Sequence, residues 1–290
     1  MILTHPKQYA SIAVQVNNTW ARRCNKYYFI GSQSTNTSIP LILLPLRESR
    51  QILWKKVRMA FQAVHDQEHI EDFDYFLKAD DDTFVVMENL RSAWRWFPTS
   101  TIGAKRADWR ASLANKEPGG GDKKREEEEE EENLRSFLSG HDPNEATIFG
   151  RRFAYQGDLR QQYMSGGAGY VLSRRALQLL VGTGFGSTRA PGVTDYCNID
   201  YISVEDYLMG RCLKLLGVKF GHSLDEQKRE RFHPLRPETM VNPRHVMSWM
   251  KQYNYHPFEK CVTCISNTSV SFHYVDDILE IEFLLYHMRV

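Results

Sequence analysis

The densest set of chemistry-bearing residues in the chain is Asp80-Asp81-Asp82, which follows an apolar run and precedes Thr83 and the apolar Phe84-Val85-Val86. Three adjacent carboxylates at a partly buried strand end repel one another, and each unpaired charge there is costly. A divalent cation relieves that repulsion. On an extended segment alternate residues face the same way, so Asp80 and Asp82 are expected to share a site while Asp81 turns elsewhere. Oxygen ligands suit Mg²⁺, Mn²⁺ or Ca²⁺, and a cation that also held phosphate oxygens would act as a Lewis acid on a diphosphate leaving group. The competing reading is an acidic turn in which an Asp caps the next element.

Two further runs have chemical potential. Ser165-Gly166-Gly167-Ala168-Gly169 leads into an apolar stretch and a helix, and glycines there let the backbone approach a ligand closely. The run is neither a dinucleotide fingerprint nor a phosphate loop. Val204-Glu205-Asp206 stands at the start of another helix, where Asp206 or Glu205 is a candidate general base for activating a hydroxyl. Ser203 and Asp206 also have the spacing of a capping box, which needs no catalysis to explain it. A helix N-terminus lowers a carboxylate's pKa and so weakens it as a base.

The elements that must position these residues alternate. Residues 27–30, 41–44 and 73–77 read as short strands. Leu53, Trp54, Val57, Ala60, Phe61 and Val64 recur at helical spacing within 51–65, and 174–181 and 207–216 are further predicted helices. This order predicts an α/β fold with a mainly parallel sheet, in which ligands bind beyond the carboxyl ends of strands.

The 290 residues are 42% hydrophobic, enough for one large core or two modest ones. The net charge of +1 gives no global attraction to nucleic acid. No run has the roughly 18 apolar residues of a membrane span, and the first residues lack a signal-peptide pattern. Five cysteines (Cys24, Cys197, Cys212, Cys261 and Cys264) and sequons at Asn17, Asn36 and Asn267 lean toward the secretory pathway. Cys261 and Cys264 read as a structural disulfide, since no second pair stands at zinc-finger spacing. Residues 105–145 lose apolar periodicity and carry seven consecutive glutamates, Glu126 to Glu132, so they are expected to form a solvated low-complexity insertion.

Five ordered blocks point to one family. Residues 75–83, 163–172, Val204-Glu205-Asp206 with Gly210-Arg211-Cys212, Phe232-His233-Pro234, and 270–276 closely resemble the core 1 β-1,3-galactosyltransferases of glycosyltransferase family 31. The resemblance runs from about Thr19 to Arg289 and is interrupted by the acidic insertion.

The resemblance implies a single GT-A domain over 1–290, with a mixed central sheet and an N-terminal truncation. It implies transfer of galactose from UDP-galactose to the 3-hydroxyl of GalNAc-α-Ser/Thr, with inversion. Asp80, Asp82 and His233 would hold Mn²⁺, His273 ranking second as the histidine ligand. Asp206 would be the base, with Glu205 beside it. Gly166, Gly167, Asp80 and Asp81 would contact the donor, and Trp249, Tyr253 and Tyr255 the acceptor GalNAc. Cys197 would pair with Cys212, and Cys261 with Cys264 only weakly.

Relatives of this kind are Golgi membrane proteins whose catalytic domain is lumenal. The chain is therefore expected to derive from an anchored protein whose upstream strand supplied a partner for Cys24. A homodimer and a dedicated ER chaperone are the implied protein partners. A non-catalytic chaperone or binding homologue, and a fringe-type β-1,3-N-acetylglucosaminyltransferase, are the alternatives. The intact Asp80-Asp81-Asp82 run argues against the first, and a donor screen separates the second.

Overall fold

The computed structural model describes residues 1–34, 38–91, 138, 141–186, 192–200, 204–242, 248–257 and 261–288. Twelve strands are formed among them: β1 Ile2–Leu3, β2 Phe29–Gly31, β3 Leu41–Leu43, β4 Tyr75–Asp80, β5 Phe84–Val85, β6 Thr147–Gly150, β7 Arg152–Tyr155, β8 Asp158–Met164, β9 Tyr170–Ser173, β10 Lys219–Phe220, β11 Phe232–His233 and β12 Ser271–Phe272. The α-helices are α1 Ile12–Asn18, α2 Leu53–Gln67, α3 Met87–Arg91, α4 Arg174–Leu179, α5 Glu205–Leu215, α6 Pro237–Val241, α7 Ser248–Tyr253 and α8 Ile278–Tyr286.

A seven-stranded sheet in the order β10-β6-β9-β4-β1-β2-β3 forms the centre. It is mixed, because β9 runs antiparallel to both β4 and β6 while the other pairs are parallel. The strand-helix alternation predicted a mainly parallel sheet and missed β9, which follows β8 through the glycine turn with no crossover helix before it. Successive residues of a strand face opposite sides, and both sides are apolar here. Leu3, Ile30, Ile148, Tyr170 and Leu172 enter one core with the apolar face of α2 and with α4 and α5. Ile2, Phe29, Phe149 and Val171 enter the other, with α1 and residues of β5 and β11.

A smaller sheet, β11-β12-β5, begins immediately after the aspartate run. The chain leaves the large sheet at Asp80, turns through Asp81 and Asp82, and enters the small one at Phe84. The junction of the two sheets is therefore where β4 ends and where β12 delivers the residues that follow it.

Within the 105–145 segment, the glutamate run lies outside the described residues. Leu138 is buried in the second core, and the Ser173 hydroxyl donates to the Glu145 carbonyl. Of the sequons, Asn17 is buried and its side-chain oxygen accepts from the Tyr27 hydroxyl, Asn267 is exposed, and Asn36 lies outside the described residues. No described helix is long and apolar enough to cross a membrane.

Cys197 and Cys212 form a disulfide between α5 and the segment before it, and Cys261 pairs with Cys264. The first bridge has both cysteines fully buried and closes a sequence separation of 15 residues, for which chain-entropy reasoning gives about 3 kcal/mol. A Cys197→Ala/Cys212→Ala variant is expected to lose stability of that order in urea unfolding, with α5 loosened first. A loss below the error of the measurement would show that packing alone holds α5.

Candidate active site

The aspartate run is a turn and not an extended segment. The Thr83 N–H donates to the Asp80 carbonyl at 3.1 Å, so Asp80 and Asp82 come to the same side by a tight turn. Asp81 points away, accepting from the Thr4 hydroxyl at 2.6 Å. Burial pushes the Asp81 carboxyl up to about 7, against the Thr4 hydrogen bond.

The histidine that joins the two aspartates is His273, just beyond β12. One ligand atom from each of Asp80, Asp82 and His273 lies within 4.8 Å of the others. His273 Nε2 stands 3.2 Å from Asp82 Oδ1 and 3.9 Å from Asp80 Oδ2. His233 is elsewhere: its ring is 1% exposed, stacks on Phe272, and has Nε2 2.9 Å from the Ser269 hydroxyl. Burial, reinforced by the Arg151 cation, lowers the His233 pKa to about 3. His233 contributes backbone, its carbonyl accepting from the His273 N–H. The histidine that the structure places with Asp80 and Asp82 is therefore His273, which the sequence ranked second, and not His233. Two carboxylate donors and one imidazole suit a divalent transition ion such as Mn²⁺ better than Mg²⁺.

The two-glycine turn holds this group against a second one. A Cβ on Gly167 would stand 2.2 Å from the His273 ring, and a Cβ on Gly166 would stand 2.6 Å from Glu205 Oε2. Only glycine permits either approach. Gly166 N–H donates to Asp206 Oδ2 at 3.1 Å, and the Thr83 hydroxyl donates to the Gly167 carbonyl at 2.8 Å.

Helix α5 begins at Glu205, with Val204 at its N-cap and no side-chain cap hydrogen bond, so Glu205 and Asp206 occupy its first turn. Ser203 lies outside the described residues. Asp206 Oδ1 accepts from the Tyr207 N–H at 2.9 Å. Burial raises the Asp206 pKa despite the two backbone donors. Glu205 is 4% exposed and turned inward, its Oε1 accepting from the Tyr170 hydroxyl at 2.8 Å. Burial pushes it up to about 7, against the pull of Lys78.

Lys78, on β4, is buried between these groups. Its Nζ donates to Asp80 Oδ1 at 2.8 Å and to the Gly166 carbonyl at 3.0 Å, and lies 3.8 Å from Glu205 Oε2. Burial opposes its charge, but the Asp80 and Glu205 carboxylates outweigh burial and raise its pKa.

An aromatic series leads outward from Asp206. Tyr207 meets Tyr155 at 4.6 Å and Tyr163 at 6.0 Å between ring centroids, and Tyr155 meets Tyr253 at 6.0 Å. Trp249 packs on Phe153 beside the small core of Leu235, Met240 and Met250. Tyr255 lies under Arg152 and against His256, outside this series of ring contacts. Of the three aromatics the sequence singled out, Tyr253 joins the series through Tyr155, and Trp249 joins it through Phe153, whose ring centroid is 5.7 Å from that of Tyr163. An apolar cavity of about 120 Å³, lined by residues such as Trp20, Tyr28, Phe61, Leu90 and Val171, includes none of the acidic residues of the site.

No family model matches the chain. A curated glycoprotein-N-acetylgalactosamine 3-beta-galactosyltransferase 1 from Xenopus laevis is 33% identical over 294 residues, a match covering 99% of this chain and 66% of the relative. The chain belongs to the core 1 β3-galactosyltransferase family. It spans about two-thirds of the length of that relative.

For this family member the sequence had located both carboxylate groups and both glycines, but not Lys78, Tyr170 or Thr4. A lysine inside the apolar run Tyr75-Phe76-Leu77-Lys78-Ala79 was the available signal, because an ammonium group in a buried strand needs anionic partners. Gly167→Ala is expected to displace the His273 ring and lower Mn²⁺ affinity by about tenfold or more, within the range for altered support of a ligand. Calorimetric titration of a variant shown to be folded by circular dichroism checks this. Parental affinity would remove His273 from the ligand set.

Proposed function

We propose that this chain is an inverting galactosyltransferase of GT-A fold. In this reading it moves galactose from UDP-galactose to the 3-hydroxyl of GalNAc linked to Ser or Thr of a glycoprotein. The observation that carries the reading is the convergence of two groups on one glycine turn: Asp80, Asp82 and His273 on the Gly167 side, and Asp206 on the Gly166 side. The family relative is named for this transfer, and the chain's two disulfides suit the oxidising secretory pathway in which O-glycans are built.

The chemistry divides between the two sides. Asp80, Asp82 and His273 would hold the cation, which when bound supplies Lewis-acid stabilisation of the departing diphosphate. Asp206, oriented by Gly166 N–H and Tyr207 N–H, accepts the proton of the acceptor hydroxyl. That oxygen forms its bond to the anomeric carbon as the bond from that carbon to the UDP oxygen breaks, with the electron pair leaving on UDP. A single in-line displacement of this kind inverts the anomeric centre and needs no covalent enzyme intermediate. Glu205, bonded to Tyr170 and turned inward, supports the site from below the acceptor face. The half-buried Tyr207, Tyr155 and Tyr253 in the series that begins beside Asp206 offer rings on which a pyranose can stack.

UDP release measured with a panel of UDP-sugars and a GalNAc-α-threonine acceptor tests the reading. UDP-galactose with Mn²⁺ should give turnover, and EDTA should abolish it. Preference for UDP-N-acetylglucosamine would favour the fringe-type alternative, and no transfer with any donor would favour the binding homologue. Asp206→Asn keeps the size of the side chain and one of its two acceptor oxygens but cannot take a proton, so kcat should fall by about 10²–10⁴-fold while UDP-galactose affinity is retained. Near-parental turnover would remove Asp206 from the mechanism.

A further inference from the structure

We propose that Lys78 is a positioning residue that joins the cation side of the site to the base. It does so by fixing which oxygen Asp80 presents and by anchoring Gly166, the residue whose N–H holds Asp206. This inference rests on the preceding reading of Asp80 as a cation ligand and Asp206 as the base.

The connection runs through one ammonium group and the two peptide groups of one glycine. Lys78 Nζ donates to Asp80 Oδ1 at 2.8 Å, which leaves Oδ2 as the oxygen facing His273. Asp80 is thereby held to one oxygen for a cation, where a free carboxylate can chelate through both. The same Nζ donates to the Gly166 carbonyl at 3.0 Å, while the N–H of Gly166 donates to Asp206 Oδ2 at 3.1 Å. A cation on the carbonyl and a carboxylate on the N–H hold the two peptide groups flanking the Gly166 Cα, so the residue is fixed from both sides. Glu205 Oε2, 3.8 Å from Nζ, completes the surroundings and is itself anchored by Tyr170.

A merely structural lysine would only neutralise buried Glu205, and the two roles predict different results. The variants are Lys78→Met, which keeps the unbranched stem of the side chain but lacks the ammonium group, and Lys78→Met/Glu205→Gln, which also removes the carboxylate left without a cation. Glutamine still accepts from Tyr170, so the double variant guards against loss of folding in the single one.

The first measurement is calorimetric Mn²⁺ titration of the full chain and each folded variant without substrates. Both variants should bind Mn²⁺ about threefold tighter or more because Asp80 gains its second oxygen; loss of a neighbouring positive charge adds to this in the single variant, whereas the double variant removes one charge of each sign. Unchanged or weaker binding in the folded variants overturns the proposal. The second is turnover at saturating Mn²⁺ and UDP-galactose, where kcat should drop about 10²-fold as Asp206 loses its anchor, with the donor KM little changed. Restoration of kcat in the double variant also overturns it, since that would leave charge balance as the whole role. If the parent itself shows no transfer with any donor, the functional reading fails while the Mn²⁺ titration still decides the role of Lys78.

Discussion

A fully desolvated ammonium group sets the terms for this site. Lys78 is 1% exposed in the middle of the central sheet, and an unpaired cation there would be strongly destabilising. Its partners are therefore fixed by necessity: Asp80 from its own strand, the Gly166 carbonyl from the turn before β9, and Glu205 from the first turn of α5. Three elements distant in sequence are drawn to one point. Once they are there, Asp82 and Asp206, next in the chain to Asp81 and Glu205, are delivered to the open side.

The same neighbourhood explains the glycines. Glu205 must reach Lys78 past Gly166, and His273 must reach the aspartates past Gly167, with a methyl group at either position falling 2.6 Å or less from the side chain concerned. The turn is thus a spacer of minimal thickness between two anionic groups. Tyr274, next to His273, adopts φ 58°, a conformation that non-glycine residues seldom occupy. Its ring centroid lies 3.8 Å from that of His273. Strain of this kind is retained where the surroundings over-determine it, and it lies directly beside the ligand group.

Much of this was legible in the residues. Periodicity placed α2 correctly within a few positions, and the charge of Asp80-Asp81-Asp82 against an apolar strand drew attention to the point where Asp80, Asp82 and His273 gather. What was not legible required three-dimensional pairing. The separation of Asp80 and Asp82 from Asp81 was expected from strand alternation, whereas the structure achieves it with a turn. His233 and His273 sit at neighbouring positions of the parallel pair β11 and β12, and each follows a phenylalanine. Local sequence cannot say which is turned into the core. The register does: Phe272 pairs with His233, so His273 lies one residue past the last paired position, where the strand has ended and its ring is free to face the aspartates.

The two influences on Asp206 bear on what kind of base it can be. A helix N-terminus and two backbone N–H donors favour its charged form, yet burial outweighs them and the pKa is raised. Glu205 is 4% exposed and lies 3.8 Å from the Lys78 ammonium, whose closer charged partner is Asp80 at 2.8 Å, whereas Asp206 is half-buried. A carboxylate with raised affinity for a proton, yet fixed by two N–H bonds, has the properties that the proposed role of general base requires. The two adjacent acids differ in surroundings because consecutive residues on the first turn of a helix face different directions, Glu205 onto Tyr170 and Lys78, Asp206 onto the Gly166 N–H.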